Sequence, residues 1–250
     1  MPEKYIDPPG LHLSLSELHR SAVELAYVFT SWRCLQNVPK GKGQAILVLP
    51  PFSTSDWSTT VLRKYLKKIG YQSYRWKQGT NVKAWKLYQF RDAMNGISQS
   101  LDGLESRLDY IQQRHDSKVI LIGWSLGGVL ARKLASRHPD KIQRVITLGS
   151  PMGNLRELPL VKSLQWLRKT DVSYEEMLEW LAFIDIDSGE VPIDVFYSHY
   201  DGIVPASMAI SRGQGKVKNF KLAASHIGFG ANSAVFRLLA RRLGVDTADL

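Results

Sequence analysis

The sequence predicts an α/β protein in which a mainly parallel sheet is flanked by helices. From about residue 45 onward, short runs rich in β-branched residues alternate with longer helical segments, which is typical of stacked βα units. Two of the runs, Ala45 to Leu49 and Val119 to Ile122, are apolar without alternation, as central strands covered on both faces should be. With 250 residues and 44% hydrophobic side chains, the chain can build a large core, and we expect a single domain.

The alternating part contains six predicted strands and five predicted helices. The strands are Ala45 to Leu49, Gln72 to Trp76, Lys118 to Ile122, Arg144 to Leu148, Ile193 to Ser198 and Val217 to Ala223. The helices lie near Thr59 to Ile69, Phe90 to Arg114, Gly127 to Arg137, Ala206 to Arg212 and Ser233 to Leu243. Because helical segments connect most successive strands, the strands should pair in parallel.

An amphipathic helix, Ser14 to Leu35, is predicted ahead of the alternating part. Its apolar residues recur at spacings of three and four, the period of one helix face: Leu15, Leu18, Ala22, Leu25, Phe29 and Trp32. Ser14 and Glu17 have the spacing of a capping box at its start. We expect the apolar stripe to pack on the body of the protein, and a helix that contacts a membrane surface or a partner is the alternative.

A long segment, Asn154 to Asp187, interrupts the alternation. Two amphipathic helices are predicted in it, near Leu160 to Leu167 and Tyr174 to Ile184, and the second opens with the capping-box spacing of Ser173 and Glu176. Because the segment is long for a connection between neighbouring strands, we interpret it as a cap inserted over one end of the sheet. Its apolar residues favour a substrate with an apolar acyl or alcohol part, although core packing would use the same residues.

Composition excludes several classes of protein. The single Cys34 cannot form an internal disulfide, and no run reaches the 18 or so apolar residues of a membrane span. Residues Met1 to Gly10 lack the basic and then apolar order of a signal peptide, so we expect a soluble, cytoplasmic protein. The formal charge of +10 is spread over the predicted helices without a nucleic-acid-binding motif, so we expect no nucleic-acid partner; attraction to an anionic membrane or substrate is a weaker alternative.

The strongest chemical signal is the run Gly123 to Gly127, which reads Gly-Trp-Ser-Leu-Gly directly after a buried strand and directly before a helix. A serine there lies on a sharp turn that exposes its hydroxyl above the sheet, and glycines two positions to either side keep Cβ atoms out of the turn. The alternative is a glycine-rich loop that binds phosphate, but neither a Walker lysine nor a G-x-G-x-x-G run is present. The pattern therefore predicts Ser125 as a nucleophile.

A serine hydroxyl is a weak nucleophile, so Ser125 needs a base and an acid that orients the base. For a serine on such a turn, the acid follows a later strand and the histidine follows the last one. Asp201 comes directly after the predicted strand Ile193 to Ser198, whereas the turn after the preceding strand has no carboxylate. Asp194 falls near the start of its strand, and two further acids, Asp185 and Asp187, precede that strand. We therefore predict Asp201 as the acid, with an Asp that only shapes a turn as the alternative.

The predicted base is His226, because it follows the last predicted strand in a short loop that can place an imidazole over Ser125. The other histidines lie at a strand end or at N-terminal and helix-end positions: His199, His12, His19, His115 and His138. The oxyanion of an acyl-transfer intermediate needs two N–H donors, one from the residue after the nucleophile and one from the loop after the first strand. Leu126 supplies the first, and Phe52 is predicted to supply the second because Pro50 and Pro51 have no N–H.

The stretch from Ala45 to Leu243 resembles the α/β-hydrolase superfamily, and among its members the bacterial lipases and esterases. The residues that carry the resemblance are Gly123 to Gly128, His199 to Pro205 and Ser225 to Gly228. Such lipases usually have His-Gly in the oxyanion loop, where this chain has Pro50-Pro51, and Phe52 matches the position whose N–H points into the hole.

This resemblance implies the α/β-hydrolase fold and hydrolysis of a small-molecule carboxylic ester through a Ser-His-Asp triad, without a metal or an organic cofactor. The superfamily also contains thioesterases, acyltransferases and some members without catalysis. An acyltransferase or thioesterase with the same triad, and a binding protein without catalysis, are therefore the alternatives.

Overall fold

A six-stranded parallel sheet organises the part of the chain that the structure, a computed structural model, describes: residues 10–81, 90–152, 189–211 and 216–244. The strands are β1 (Ala45–Leu49), β2 (Gln72–Arg75), β3 (Val119–Trp124), β4 (Ile142–Leu148), β5 (Ile193–Ser198) and β6 (Val217–Leu222). Their spatial order is β2-β1-β3-β4-β5-β6, and all five neighbouring pairs are parallel. The predicted parallel sheet is confirmed, and each predicted strand lies within two residues of its observed bounds at either end.

Helices connect the strands and cover both faces of the sheet. They are α1 (Leu11–Leu15), α2 (Glu17–Thr30), α3 (Trp32–Leu35), α4 (Thr60–Lys68), α5 (Phe90–His115), α6 (Leu126–Arg137), α7 (Ala206–Ala209) and α8 (Ser233–Leu243), with a 3₁₀ helix at Ile227–Gly230. The five helices predicted after residue 44 are all present. Helix α7 is shorter than predicted and ends at Ala209, and the predicted end at residue 212 lies outside the described residues.

The apolar runs of β1 and β3 are buried along their whole length because helices pack on both sides. Side chains that point to one face, such as Leu47 and Leu121, join a core with α5 and α6. Their neighbours on the other face, such as Val48 and Ile122, join a second core with α4 and α8. Each fully buried aliphatic side chain contributes about 1.5–3 kcal/mol to folding. These two strands therefore sit at the centre of the fold.

The N-terminal segment is not the single helix predicted from Ser14 to Leu35, but the three helices α1, α2 and α3. Much of the predicted apolar stripe does not pack on the body of the protein: Leu15, Leu18 and Phe29 are 77%, 75% and 61% exposed. Its last residue, Trp32, is partly buried and packs against the core. The face turned to the protein instead carries Glu17, which is buried. The prediction that the whole stripe packs inward was wrong, since the face of α2 that meets the protein combines the polar contacts of Glu17 with the buried Val28.

The predicted capping box at the start of the N-terminal helix was also wrong. The residue that precedes α2 is Ser16, and its side chain makes no capping hydrogen bond. The Ser14 Oγ donates to the Gly202 carbonyl oxygen at 2.6 Å, and the Glu17 carboxylate accepts from main-chain N–H groups more than 180 residues away. Both side chains are therefore used for tertiary contacts.

The predicted cap, Asn154 to Asp187, lies outside the described residues, together with its two predicted helices and the Ser173/Glu176 pair. Among the residues that the structure describes, no helix is both long enough and apolar enough to cross a bilayer.

Candidate active site

Ser125 lies on a sharp turn between β3 and α6, at the carboxyl edge of the sheet. Its backbone has φ 51° and ψ −119°, a conformation that costs a non-glycine residue about 1–3 kcal/mol. The turn is fixed from both sides, because the Ser125 N–H donates to the Leu148 carbonyl and the Gly128 N–H donates to the Ser125 carbonyl, each at 2.9 Å. The side chain is partly exposed. The strained turn thus leaves Ser125 partly exposed at the edge of the sheet, in agreement with the turn that the sequence pattern predicts.

The glycines around Ser125 are required by close main-chain approach. A Cβ atom at Gly123 would overlap the main chain of Gly127, and one at Gly127 would lie 2.5 Å from the Leu49 carbonyl oxygen of β1. Any larger residue would force the turn away from the sheet. The glycines therefore let the turn of Ser125, at the end of β3, lie directly against the end of β1.

The structure brings Asp201 and His226 together in a buried pair. Asp201 follows β5, His226 follows β6, and the Asp201 Oδ2 lies 2.7 Å from the His226 Nδ1. The other carboxylate oxygen, Oδ1, accepts hydrogen bonds from the N–H groups of Ile203 at 2.9 Å and Val204 at 2.7 Å. Both side chains are almost completely buried. The carboxylate is thus locked in one orientation and occupies one side of the imidazole.

A hydrogen bond ties the His226 loop to the turn that carries Ser125. The Nε1–H of Trp124, the residue before Ser125, donates to the His226 carbonyl oxygen at 3.1 Å. Gly230, at the end of the 3₁₀ helix that follows His226, packs against the same indole, and a Cβ there would lie 2.6 Å from the ring. The histidine loop is therefore held directly beside the serine turn.

The surroundings of His226 favour its charged form. Burial by itself lowers the pKa of the imidazole, but the attraction and hydrogen bond of Asp201, with a smaller contribution from the Glu17 carboxylate, outweigh burial and raise that pKa above its usual value. With Asp201 ionised, Nδ1 is the protonated nitrogen and Nε2 carries the lone pair in the neutral ring. Nε2 is then the atom that can accept a proton.

The two predicted oxyanion donors flank the serine turn. Leu126 begins α6, and Phe52 follows Pro50 and Pro51 after β1. Within the described ranges, neither the Leu126 nor the Phe52 N–H donates to another residue. Asn81, which the sequence did not indicate, holds this loop, because its Nδ2 donates to the carbonyl oxygens of Pro51 at 2.7 Å and Pro50 at 3.3 Å. Two adjacent strand ends thus each offer an N–H group without a partner.

Of the three rival carboxylates, the structure describes Asp194, which pairs with arginines and not with a histidine. The Asp194 Oδ2 accepts from the Arg242 Nε at 3.0 Å and lies 3.7 Å from the Arg144 Nη1. This buried ion cluster belongs to the packing of β4, β5 and α8. Asp185 and Asp187 fall in the segment that is not described. In residues 10–81, 90–152, 189–211 and 216–244, no group of three His, Cys, Asp or Glu side chains forms a candidate metal site.

Two carboxylates that the sequence analysis missed lie against the histidine loop. Glu17 accepts hydrogen bonds from the N–H groups of Gly202 and His226, and Glu24 accepts from Ser225. Both lie on α2 at a spacing of seven residues, which places them on one helix face. The spacing of these two glutamates was the available signal, but the apolar stripe beside them on the helix has the same period.

Comparisons with known sequences show similarity to α/β hydrolases and esterases over part of the chain. The family model described as alpha/beta hydrolase fold matches residues 83–178, which include Ser125. A stretch of 49 residues is 49% identical to the biotin biosynthesis bifunctional protein BioHC of Teredinibacter turnerae, covering 20% of this chain and 9% of that protein. A stretch of 56 residues is 39% identical to a pimeloyl-[acyl-carrier protein] methyl ester esterase of Shewanella woodyi, covering 22% of each. The matches thus span about a fifth or less of these relatives.

Solved structures resemble the chain over most of its length. One of the metagenome-derived lipolytic enzymes LipS and LipT has a TM-score of 0.58 at 14% identity, over 82% of this chain and 93% of that one. A dienelactone hydrolase from Anabaena variabilis has a TM-score of 0.55 at 19% identity, over 82% and 87%. A monoacylglycerol lipase from Paleococcus ferrophilus has a TM-score of 0.52 at 13% identity, over 80% and 95%.

At such identities, a structural likeness establishes the fold and not the reaction. The sheet order, the strand–turn–helix around Ser125 and the family model agree with it. The chain therefore has the fold of the α/β hydrolases.

Proposed function

We propose that this protein is a serine hydrolase that cleaves carboxylic esters through an acyl-enzyme on Ser125. The observation that carries the proposal is the buried contact of 2.7 Å between Asp201 and His226, tied through Trp124 to the strained turn of Ser125. A buried carboxylate–imidazole pair beside a partly exposed serine is the arrangement that activates a serine.

In the first half of the reaction, the Ser125 Oγ attacks the ester carbonyl carbon while His226 Nε2 takes the hydroxyl proton. The negative charge of Asp201 stabilises the imidazolium that forms, and its hydrogen bond keeps Nδ1 protonated. The Leu126 and Phe52 N–H groups donate to the oxyanion of the tetrahedral intermediate. The imidazolium then protonates the leaving alcohol, and the acyl group stays on Ser125.

In the second half, the same groups hydrolyse the acyl-enzyme. His226 takes a proton from water, the resulting hydroxide equivalent attacks the acyl carbon, and the proton returns to the Ser125 Oγ as the acid leaves. The catalytic steps use only residues of this chain and water.

The substrate class we propose is a small-molecule ester with an apolar acyl or alcohol part. The esterase similarity of the matched sequence stretches supports an ester, and the apolar residues predicted between Asn154 and Asp187 support an apolar group. Thioester hydrolysis and acyl transfer to another alcohol use the same serine chemistry and are the competing activities.

A substrate panel tests this function. Purified protein is assayed with chromogenic oxygen esters of increasing acyl length, with matched thioesters, and with alcohols added as acyl acceptors. We expect hydrolysis of oxygen esters with the highest kcat/KM on an apolar acyl chain. Faster thioester cleavage, or acyl transfer that outruns hydrolysis, would favour the competing activities, and no turnover of any ester would contradict the proposal.

The raised pKa of His226 predicts a pH profile for kcat/KM. Only the neutral imidazole can accept the Ser125 proton, so activity should rise with pH through a single limb whose midpoint lies above the usual histidine value of about 6.5. An uncharged ester, assayed from about pH 5 to 9, reports this limb for the free enzyme. A midpoint at or below the usual histidine value would contradict the electrostatic environment described for His226.

We propose, in addition, that the N-terminal helices contact an anionic lipid surface. Leu11, Leu15 and Leu18 follow one another along an exposed face, and Ala22 and Phe29 continue it. Residues 10–42 contain two carboxylates, on α2, and both are turned to the catalytic loops, while several basic side chains of this segment are exposed. An apolar face with exposed cations and no exposed carboxylate fits an anionic bilayer surface.

Vesicle binding tests this contact with the double substitution Leu15→Glu and Leu18→Glu. Each leucine is exposed, so the change should leave the fold intact while it removes apolar area and adds two negative charges. We expect wild type to co-sediment with phosphatidylcholine vesicles that contain phosphatidylglycerol, and the double variant to stay in the supernatant. The matched control, Ser106→Glu with Gln113→Glu, adds the same charge at exposed positions of α5 on the other face of the sheet.

Equal co-sedimentation of the leucine variant and wild type, or equal loss in the α5 control, would contradict a contact through this face. The first result would show that the stripe does not bind, and the second that net charge alone accounts for binding.

A further inference from the structure

The buried carboxylate of Glu17 joins the two loops that carry the acid and the base. Its Oε1 accepts hydrogen bonds from the N–H of Gly202, next to Asp201, at 2.7 Å and from the N–H of His226 at 3.1 Å. Its Oε2 accepts from the N–H of Ile227 at 3.2 Å. The residue is 3% exposed. One side chain of α2 therefore contacts the main chain of both loops at once.

A second carboxylate of α2 holds the histidine loop alone. Glu24 accepts the N–H of Ser225 at 2.8 Å and the Ser225 hydroxyl at 3.1 Å, and that hydroxyl in turn accepts the N–H of Gly228 at 3.0 Å. These N–H groups lie at the start of the 3₁₀ helix Ile227–Gly230, where main-chain donors have no partner within the helix. Glu24 thus supports the same loop without touching the loop of Asp201.

Glycines allow the N-terminal helices to come this close. A Cβ at Gly202 would lie 2.5 Å from the Leu13 carbonyl oxygen, and a Cβ at Gly228 would overlap the Glu24 carboxylate. Arg20 completes the contact, because its Nη2 donates to the Glu17 Oε1 at 2.9 Å and its Nη1 donates to the Tyr200 carbonyl. Gly202, next to Asp201, and Gly228, two residues after His226, therefore serve the docking of α1 and α2 as well as the local turns.

We propose that Glu17 is a positioning residue of the catalytic pair: its carboxylate holds the Asp201 loop and the His226 loop in register, so that the imidazole stays aligned with Ser125. This inference rests on the proposed function, because alignment matters only for a catalytic pair. The contacts run through main-chain groups, so Glu17 acts on the geometry of the pair and touches no reacting atom.

The same carboxylate adds negative charge behind the imidazole. The charged groups that face His226 are Asp201 from its own edge of the sheet and Glu17 from α2, with Glu24 one hydrogen bond further away on Ser225. Arg20, paired with Glu17, is the cation on this side. The attraction of Glu17 adds to that of Asp201 in raising the pKa of His226. A residue that only anchored the helix would not change this pKa.

Glu17→Gln tests the proposal because the amide keeps the size and one acceptor but removes the charge and turns an NH₂ group toward main-chain donors. We expect kcat to fall on the order of 10- to 100-fold with little change in KM, since small misplacement of a catalytic group has this effect. We also expect the acidic limb of the kcat/KM profile to move to lower pH, because the imidazolium loses a stabilising charge.

Glu24→Gln is the matched control, with the same chemical change on the same helix face. It should lower thermal stability to a similar extent and leave the pH midpoint of His226 where it is in wild type. An unmoved midpoint in Glu17→Gln, or an equal displacement in both variants, would overturn the positioning role, since helix anchoring alone would then account for the contacts.

Imidazole NMR of histidine-labelled protein separates this inference from the proposed function. The His226 resonances give its titration midpoint without any turnover, and a midpoint lowered in Glu17→Gln but not in Glu24→Gln supports the coupling. If Glu17→Gln lowers the midpoint and Glu24→Gln does not, but wild type hydrolyses no ester, the proposed function fails while the coupling between Glu17 and His226 stands. If wild type is an esterase and the midpoint does not move, the positioning role fails alone.

Discussion

Replacing Ser125 by alanine should abolish ester hydrolysis and leave the protein folded. Loss of the nucleophile leaves only the oxyanion donors and substrate binding, and in other serine hydrolases that loss amounts to roughly a million-fold in kcat. The hydroxyl is partly exposed, and alanine keeps a Cβ in the same strained turn, so unfolding free energy should change by no more than about 0.5 kcal/mol. Initial rates on the best ester of the panel, with a thermal melt of each protein, measure both effects.

The comparison has a strict control, because trace contamination by a host esterase can imitate residual activity. Wild type and Ser125→Ala are therefore purified side by side, and the residual rate is titrated with a serine-directed inhibitor. Suppose that the variant keeps more than a small fraction of the wild-type rate and that the inhibitor does not remove this residual rate. Ser125 would then not be the nucleophile.

Replacing Asp201 by asparagine should be the next most damaging change, with a loss of about ten-thousand-fold in kcat by precedent from serine proteases. The asparagine Oδ1 can still accept from the N–H groups of Ile203 and Val204, so the loop should keep its shape. Its NH₂ group would then face the His226 Nδ1 and favour the imidazole tautomer with a proton on Nε2, which cannot accept one from serine. The measurement is kcat on the same ester.

Asp194→Asn is the matched control, since it makes the same change in a carboxylate of β5, the strand that precedes Asp201, and this carboxylate pairs with Arg144 and Arg242. Weakening that buried cluster should lower thermal stability but preserve kcat per folded molecule. Asp185→Asn and Asp187→Asn should cost little by the positional argument from the sequence. The assignment of the acid fails if one of these three variants is crippled while Asp201→Asn stays active.

The inner strands β1 and β3 could be predicted from sequence because parallel strands covered on both faces appear as unbroken apolar runs. The bounds of Ala45–Leu49 and Ile193–Ser198 agree with the prediction to the residue, and the errors in the other four strands are confined to their ends. The parallel direction of neighbouring strands then follows from the helices that connect them. Burial on both faces makes this signal local, which is why it needs no knowledge of the rest of the fold.

The candidate site was predictable for a related reason. In a parallel sheet the carboxyl ends of the strands share one edge, so residues that follow β3, β5 and β6 meet there although they are far apart in sequence. The structure places Asp201 against His226 at this edge, beside the turn of Ser125. Asn81 was missed, because an asparagine that binds main-chain carbonyls of another loop leaves no periodic pattern.

The N-terminal helices were the part that sequence reasoning placed wrongly. An amphipathic period shows that a helix has two unlike faces, but it does not show which face meets the protein. Here Glu17 is buried and Leu18 is exposed, because main-chain N–H groups of the Asp201 and His226 loops need acceptors and the Glu17 carboxylate provides them. Those donors lie about 185 to 210 residues downstream, beyond the reach of any local pattern.

Labelling with a serine-directed fluorophosphonate, followed by peptide mass spectrometry, tests the central claim most directly. The reagent reacts only with a serine that a neighbouring base activates, so the result does not depend on finding the natural ester. We predict one label per native chain, on the peptide that contains Ser125, and no label in Ser125→Ala or in heat-denatured protein. A native, folded protein that takes up no label, or takes it up at another serine, would contradict the proposed serine hydrolase mechanism.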